Sequence, residues 1–155
     1  MTLVEVARKD LGQAERPGQL GFADKKFAAA MADVGYIAGW SWASLVLEKW
    51  AREAMPEKAE ELNGYFVAHP LATLRNLKNA GYVVTLWPTE GALVFWQRME
   101  EGRAIWQGHA GIVSRVVSGT EFYSIEAWQD ELQEMHRHVR KIVHEGLKVA
   151  GFVTL

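Results

Sequence analysis

The chain of 155 residues contains no cysteine, which excludes disulfides, thiolate metal sites and a cysteine nucleophile in the chain as it stands. It also lacks any apolar run approaching the ~20 residues that a membrane-spanning helix needs. Its opening stretch, MTLVEVARKDLGQAE, sets acids and bases where a secretory signal requires an unbroken apolar segment. Neither membrane insertion nor a signal peptide is expected. An excess of one charge is missing too: 17 Lys and Arg face 19 Asp and Glu, for a net charge of -2. Without a concentrated basic face there is no electrostatic case for nucleic acid or an anionic lipid surface as partner. No internal repeat or low-complexity segment interrupts the chain.

What is present suits one compact domain over residues 1–155. The chain is 49% hydrophobic and long enough for a proper core, yet too short for two ordinary domains. Its front half is helical in pattern. TLVEVARKDLG spaces Leu3, Val6, Ala7 and Leu11 along one face before Gly12, and FADKKFAAAMADVG does the same with Phe27, Ala30, Met31 and Val34 before Gly35. A third helix is predicted from Ser41 or Trp42 to about Ala54, with Leu45, Val46, Lys49 and Trp50 inward. A short acidic helix, EKAEEL, and another in HPLATLRNLKNAG follow, the latter with Pro70 in its first turn. From Tyr82 the pattern changes to short valine-, isoleucine- and aromatic-rich runs: YVVTLW, ALVFW, HAGIVSRVV and EFYSIEAW. Residues 129 to 135 could be a helical turn, whereas HVRKIV and AGFVTL suit closing strands joined through Gly146. The fold class is α+β, with N-terminal helices packed on a largely antiparallel sheet.

The stretch GYIAGWSWASLVLEKW, residues 35 to 50, sets aromatic surface and an alanine at the start of the third helix. Together with EVARKDLGQAERPG, PTEGALVFW, GHAGIVSRV and FYSIEAW, in that order, it resembles the CHAP family of papain-like peptidoglycan amidases and endopeptidases. The resemblance covers most of the chain and implies a papain-like fold. Trp42, Ala43 and Ser44 match a Trp-Cys-Ala or Trp-Cys-Ser pattern, so Ala43 stands where the resemblance implies the nucleophilic cysteine. His109, in Gly108–Val113, matches the catalytic base, and Glu126 the acid that orients it, although SIEAW lacks the Gly-Asn that often follows. Ala92 replaces a frequent aspartate after Gly91.

The chemistry behind such a layout is general. A thiol in the first turn of a helix lies beside unsatisfied N–H groups and the positive end of the helix dipole, which favour thiolate. A neighbouring imidazole can hold the thiolate–imidazolium pair and then protonate the departing amine. A carboxylate on the adjacent strand, ~4.8 Å away, orients that ring. The backbone N–H of residue 43 would help to hold the oxyanion, a contribution that needs no side chain.

Each assignment has a plainer rival. Ala43 suits a packed helix as alanine, and His109 could be an ordinary strand residue. Glu126 could face solvent, with Glu121 and Asp130 as substitutes; Ser41 and Ser44 are alternative nucleophiles. Trp40, Trp42 and Trp128 are candidate walls of a substrate groove, since flat aromatic faces suit sugar rings. His136, His138 and His144 invite a zinc reading, but without a supporting carboxylate motif they read as surface histidines, and no metal or cofactor is expected. The expected partner is peptidoglycan, with any immunity or delivery protein unspecified. The function expected is cleavage of a wall amide by a parent enzyme bearing cysteine, the alanine chain being inactive. A natural pseudoenzyme or wall-binding module would carry the same letters. Synthesis in the cytoplasm would be followed by release or delivery to the wall.

Overall fold

The computed structural model describes residues 1–141 and 146–155. Helix α1 (Leu3–Lys9) opens on a capping box in which Thr2 and Glu5 satisfy each other's backbone N–H groups. Val4, Val6 and Ala7 are its buried residues; Leu11, assigned to that stripe from its spacing, is 40% exposed because the helix ends before it. Helix α2 (Lys25–Asp33) is capped by Asp24, which accepts from the Phe27 N–H at 2.9 Å. Phe27 and Met31 face inward as their spacing predicts.

Helix α3 (Ala43–Ala54) is the pivot of the molecule. Every residue from Ala43 to Ala51 is buried, so the helix is enclosed all round where its sequence suggests a single inner face. Burial of Leu45, Val46 and Leu47 contributes roughly 1.5–3 kcal/mol for each side chain. Even Lys49 is enclosed: its ammonium donates to Asp10 at 2.7 Å, and the Trp50 indole N–H donates to the same carboxylate at 2.9 Å. These bonds tie α3 to the end of α1. A 3-10 turn (Pro56–Lys58), α4 (Ala59–Leu62) and α5 (Pro70–Asn79) complete the helical layer.

The strands are β1 (Val84–Thr85), β2 (Leu93–Glu100), β3 (Arg103–Val116), β4 (Glu121–Trp128), β5 (Glu131–His138) and β6 (Leu147–Val153). They form one sheet in the order β1-β6-β2-β3-β4-β5, with every neighbouring pair antiparallel. The α+β class read from the sequence is therefore the class observed. The sheet is buried on both faces. Leu93, Phe95, Ala110, Ile112 and Ile125 pack with the helices, while Val94, Trp96, Val113, Phe122 and Phe152 build a second core on the opposite face. That double burial explains the unbroken apolar run ALVFW.

The strand half departs from the sequence reading in several places, and β3 begins at Arg103, six residues before the HAGIVSRVV run. YVVTLW yields only the two residues of β1, which pair with the last two residues of β6, and Val83, Leu86 and Trp87 are left exposed. Residues 129 to 135 hold no helical turn. Gln129 and Asp130, at φ 50° and 62°, make a two-residue hairpin loop between Trp128 and Glu131, and both positive angles match the right-handed twist of the strands. HVRKIV is not a closing strand in its described part, since β5 ends at His138; its remainder lies outside the described residues. No described helix is long and apolar enough to cross a membrane.

Candidate active site

One wall of the site is the start of α3. Trp42 occupies the N-cap position and provides no side-chain cap, so the first-turn N–H groups keep their donor capacity and the helix dipole is unopposed there. The Trp42 ring is only 3% exposed and packs edge-on against Phe22 at 4.9 Å and Phe27 at 6.2 Å. It anchors the helix start more than it offers a flat face to a ligand. Ser44 Oγ–H donates to the Val67 carbonyl, which commits that hydroxyl to structure. Ser41 is exposed, and among the described residues no hydrogen bond joins it to His109.

The other wall is built on β3 and β4. Gly111 pairs with Glu126 across these strands, so Glu126 and His109 share one face two residues apart in register. A Cβ at Gly111 would lie 3.0 Å from Glu126 Cβ and 2.9 Å from the Ile125 carbonyl oxygen. Its absence gives the Glu126 side chain room on that face. There His109 Nε2 and Glu126 Oε1 are 3.0 Å apart, and the two residues are 3% and 0% exposed. The imidazole stacks on Trp96, with centroids 5.4 Å apart and planes at 29°, and meets Trp128 edge-on at 5.8 Å.

Glu126 is held from further sides. Ser124 Oγ–H donates to Oε2 at 2.5 Å, Arg137 Nε–H donates to Oε2 at 3.2 Å, and Arg137 Nη2–H donates to Oε1. Burial pushes the carboxyl pKa up, but the hydrogen bonds and positive charges of His109 and Arg137 outweigh it and bring it down to about 2. An ionised carboxylate only accepts, so His109 Nε2 carries the shared proton. His109 Nδ1 makes no hydrogen bond with the described residues, yet it is not sealed; the sealed, unpaired side-chain polar atom among them is Arg137 Nη1.

The two walls meet in a cleft of about 1390 Å³ lined by both Ala43 and His109. Ala43 belongs to the helix-side core and His109 stacks on the opposite face of the sheet. Both reach the cleft because it runs along the first half of β3, from Ile105 to His109, beside the end of β4. Trp40, 49% exposed, and Trp128, 9% exposed, also line it. Trp106 joins them at 74% exposure and lies 5.9 Å from the His69 ring.

The structure thus brings together Ala43, His109, Glu126, Trp40 and Trp128, with Trp42 at the margin. Of the alternative acids, Glu121 pairs with His136 at 3.2 Å, while Asp130 lines the cleft without bonding to His109. Sequence reasoning missed Trp106, although it stands three residues before His109. It also missed Ser124 and Arg137. Arg137 sits between His136 and His138, and those histidines drew attention to metal binding. Their rings are 4.9 Å apart beside Glu121, and His144 lies outside the described residues. Among the described residues no group of three or more His, Cys, Asp or Glu side chains is placed to hold a metal ion. No family model matches the chain, and no curated protein matches it.

Proposed function

We propose that the chain is a papain-like cysteine amidase or endopeptidase of peptidoglycan with alanine at its nucleophile position. The observation that carries this reading is the cleft shared by Ala43, at the uncapped start of α3, and His109, whose Nε2 is fixed by the buried Glu126. A cysteine at position 43 would sit beside first-turn N–H donors that favour its thiolate. The sulfur would attack the amide carbonyl carbon, and the N–H groups there would receive the developing oxyanion. The imidazolium of His109 would pass its Nδ1 proton to the nitrogen as the C–N bond breaks. Water would then open the thioester, releasing the carboxylic acid and restoring the thiol. Peptidoglycan as the substrate rests on the ordered motif resemblance, with Trp40 and Trp106 as exposed aromatic faces for sugar rings.

The test is Ala43→Cys assayed by turbidity loss of purified cell walls. A rate at least on the order of 10³ above the alanine form is expected, given what loss of a nucleophile costs in acyl-transfer enzymes. A folded cysteine form that releases no amine on prolonged incubation would overturn the amidase reading. The two exposed tryptophans on the cleft favour one rival, a wall-binding module without chemistry. Retention on walls by both forms, with no new amines or reducing ends, would select it.

A further inference from the structure

We propose that Arg137 is a positioning residue of this site, holding Glu126 as a carboxylate against His109 so that the imidazole keeps Nε2 protonated and leaves Nδ1 to the cleft. As a statement about catalysis this rests on the amidase reading; as a statement about where a proton resides it stands by itself.

Arg137 is fully buried, and among the described residues the hydrogen bonds of its guanidinium all go to Glu126, one to each oxygen. Its remaining Nη1 has no partner among the described residues, so none of their acceptors competes with Glu126 for the group. Its orientation is set by aromatic faces: Cζ lies 4.9 Å from the Trp128 centroid and 5.4 Å from that of Trp96. These are the same two rings that confine His109. Guanidinium and imidazole therefore pack against the same pair of indoles, and both bond to the Glu126 carboxylate. Asp130, Glu15, His69, Arg75 and Arg98 also line the cleft, and none of them bonds to His109, Glu126 or Arg137.

The sum of charges gives this arrangement its consequence. Glu126 and Arg137 cancel, so the pair behind the imidazole is neutral as a whole while still offering a strong acceptor to Nε2–H. A lone buried carboxylate would instead draw a proton onto His109 and keep it there. With Arg137 present, the carboxylate keeps its place as acceptor for Nε2–H without presenting an uncompensated negative charge to the ring.

The experiment uses the alanine chain itself. NMR of the imidazole nitrogens through a pH titration should show a neutral His109 with Nε2 protonated and Nδ1 bare. In Arg137→Gln the titration midpoint of the His109–Glu126 pair should rise by at least about one pH unit, a tenfold gain in proton affinity. Arg137→Lys, which restores the charge, should bring it most of the way back. An Nδ1-protonated neutral ring in the parent chain would overturn the proposal, as would a folded Arg137→Gln with an unchanged midpoint. Should the glutamine variant fail to fold, the parent's tautomer decides. None of these readouts requires turnover, so an inert Ala43→Cys would end the amidase reading and leave this one standing.

Discussion

The two walls of the cleft are built on opposite principles. On the helix side Ala43 presents a methyl group continuous with the apolar core. On the strand side His109, Glu126, Ser124 and Arg137 are all buried and linked by hydrogen bonds. Burying such a network is not the most stable way to fill space: apolar residues of similar volume are often neutral or better by about 1–4 kcal/mol. α3 also buries Ser44, Glu48 and Lys49, but at the cleft it presents the Ala43 methyl, whereas the strand side brings a hydrogen-bonded group of buried titratable side chains to the cleft edge. That contrast is what the proposed acid–base role of the strand side rests on.

The largest effect that would break the comparison is on activity. If the polar wall supplies acid–base chemistry, His109→Ala in the Ala43→Cys background should reduce wall hydrolysis about 10²–10⁴-fold. Steady-state amine release from purified walls measures this. Equal rates with and without the imidazole would show that the strand side serves only the fold.

A smaller effect sharpens the comparison through pH. The Glu126 carboxyl, near an ordinary 4.5 in the unfolded chain, is brought down to about 2 in the folded one by His109 and Arg137 despite its burial. Its folded value is depressed, so the stability it contributes is fully present above pH 4.5 and is lost as pH falls through 2. The linked amount is on the order of 3 kcal/mol. Urea midpoints taken across that window should fall steeply in the parent chain and less steeply in Glu126→Gln. The readout is the slope, since the glutamine variant also leaves Arg137 without its counter-charge. Glu15 and Glu48 are raised by burial and act in the opposite sense, so parallel slopes in the two proteins would mean that Glu126 does not govern the acid limb.

The strongly periodic and punctuated segments were legible in the sequence. Ala43–Ala54 ends where it was placed, and LVFW and HAGIV lie in strands of the sheet, although β3 begins at Arg103 and so sets His109 inside its strand, not at its opening. Pairing across strands was not legible. Nothing in SIEAW says that Glu126 lies diagonally from His109; that depends on register, which the pairing of Gly111 sets. Arg137 was invisible for a related reason. A cation on a strand reads as solvent-facing, and only the fold reveals that two indoles and a carboxylate enclose it. The hairpin at Gln129 and Asp130 was missed because it reaches positive φ without glycine or asparagine, the residues that ordinarily mark such a loop.

The smallest predicted effect bears on how the polar wall is assembled. Gly111 has no positive φ, so its requirement is one of space: a methyl group there would sit 2.9 Å from a backbone oxygen and 3.0 Å from Glu126 Cβ. Neither neighbour is the free end of a flexible chain, so β4 itself must move. Overpacking of this kind costs about 1–3 kcal/mol, and the displaced strand would carry Glu126 away from His109. Gly111→Ala should therefore lower the urea midpoint and mix the two tautomers of His109. Gly119→Ala is the control, because a Cβ there meets nothing within 4 Å. If the two variants unfold at the same urea concentration with the same His109 spectrum, close approach at Gly111 is not what assembles the pair.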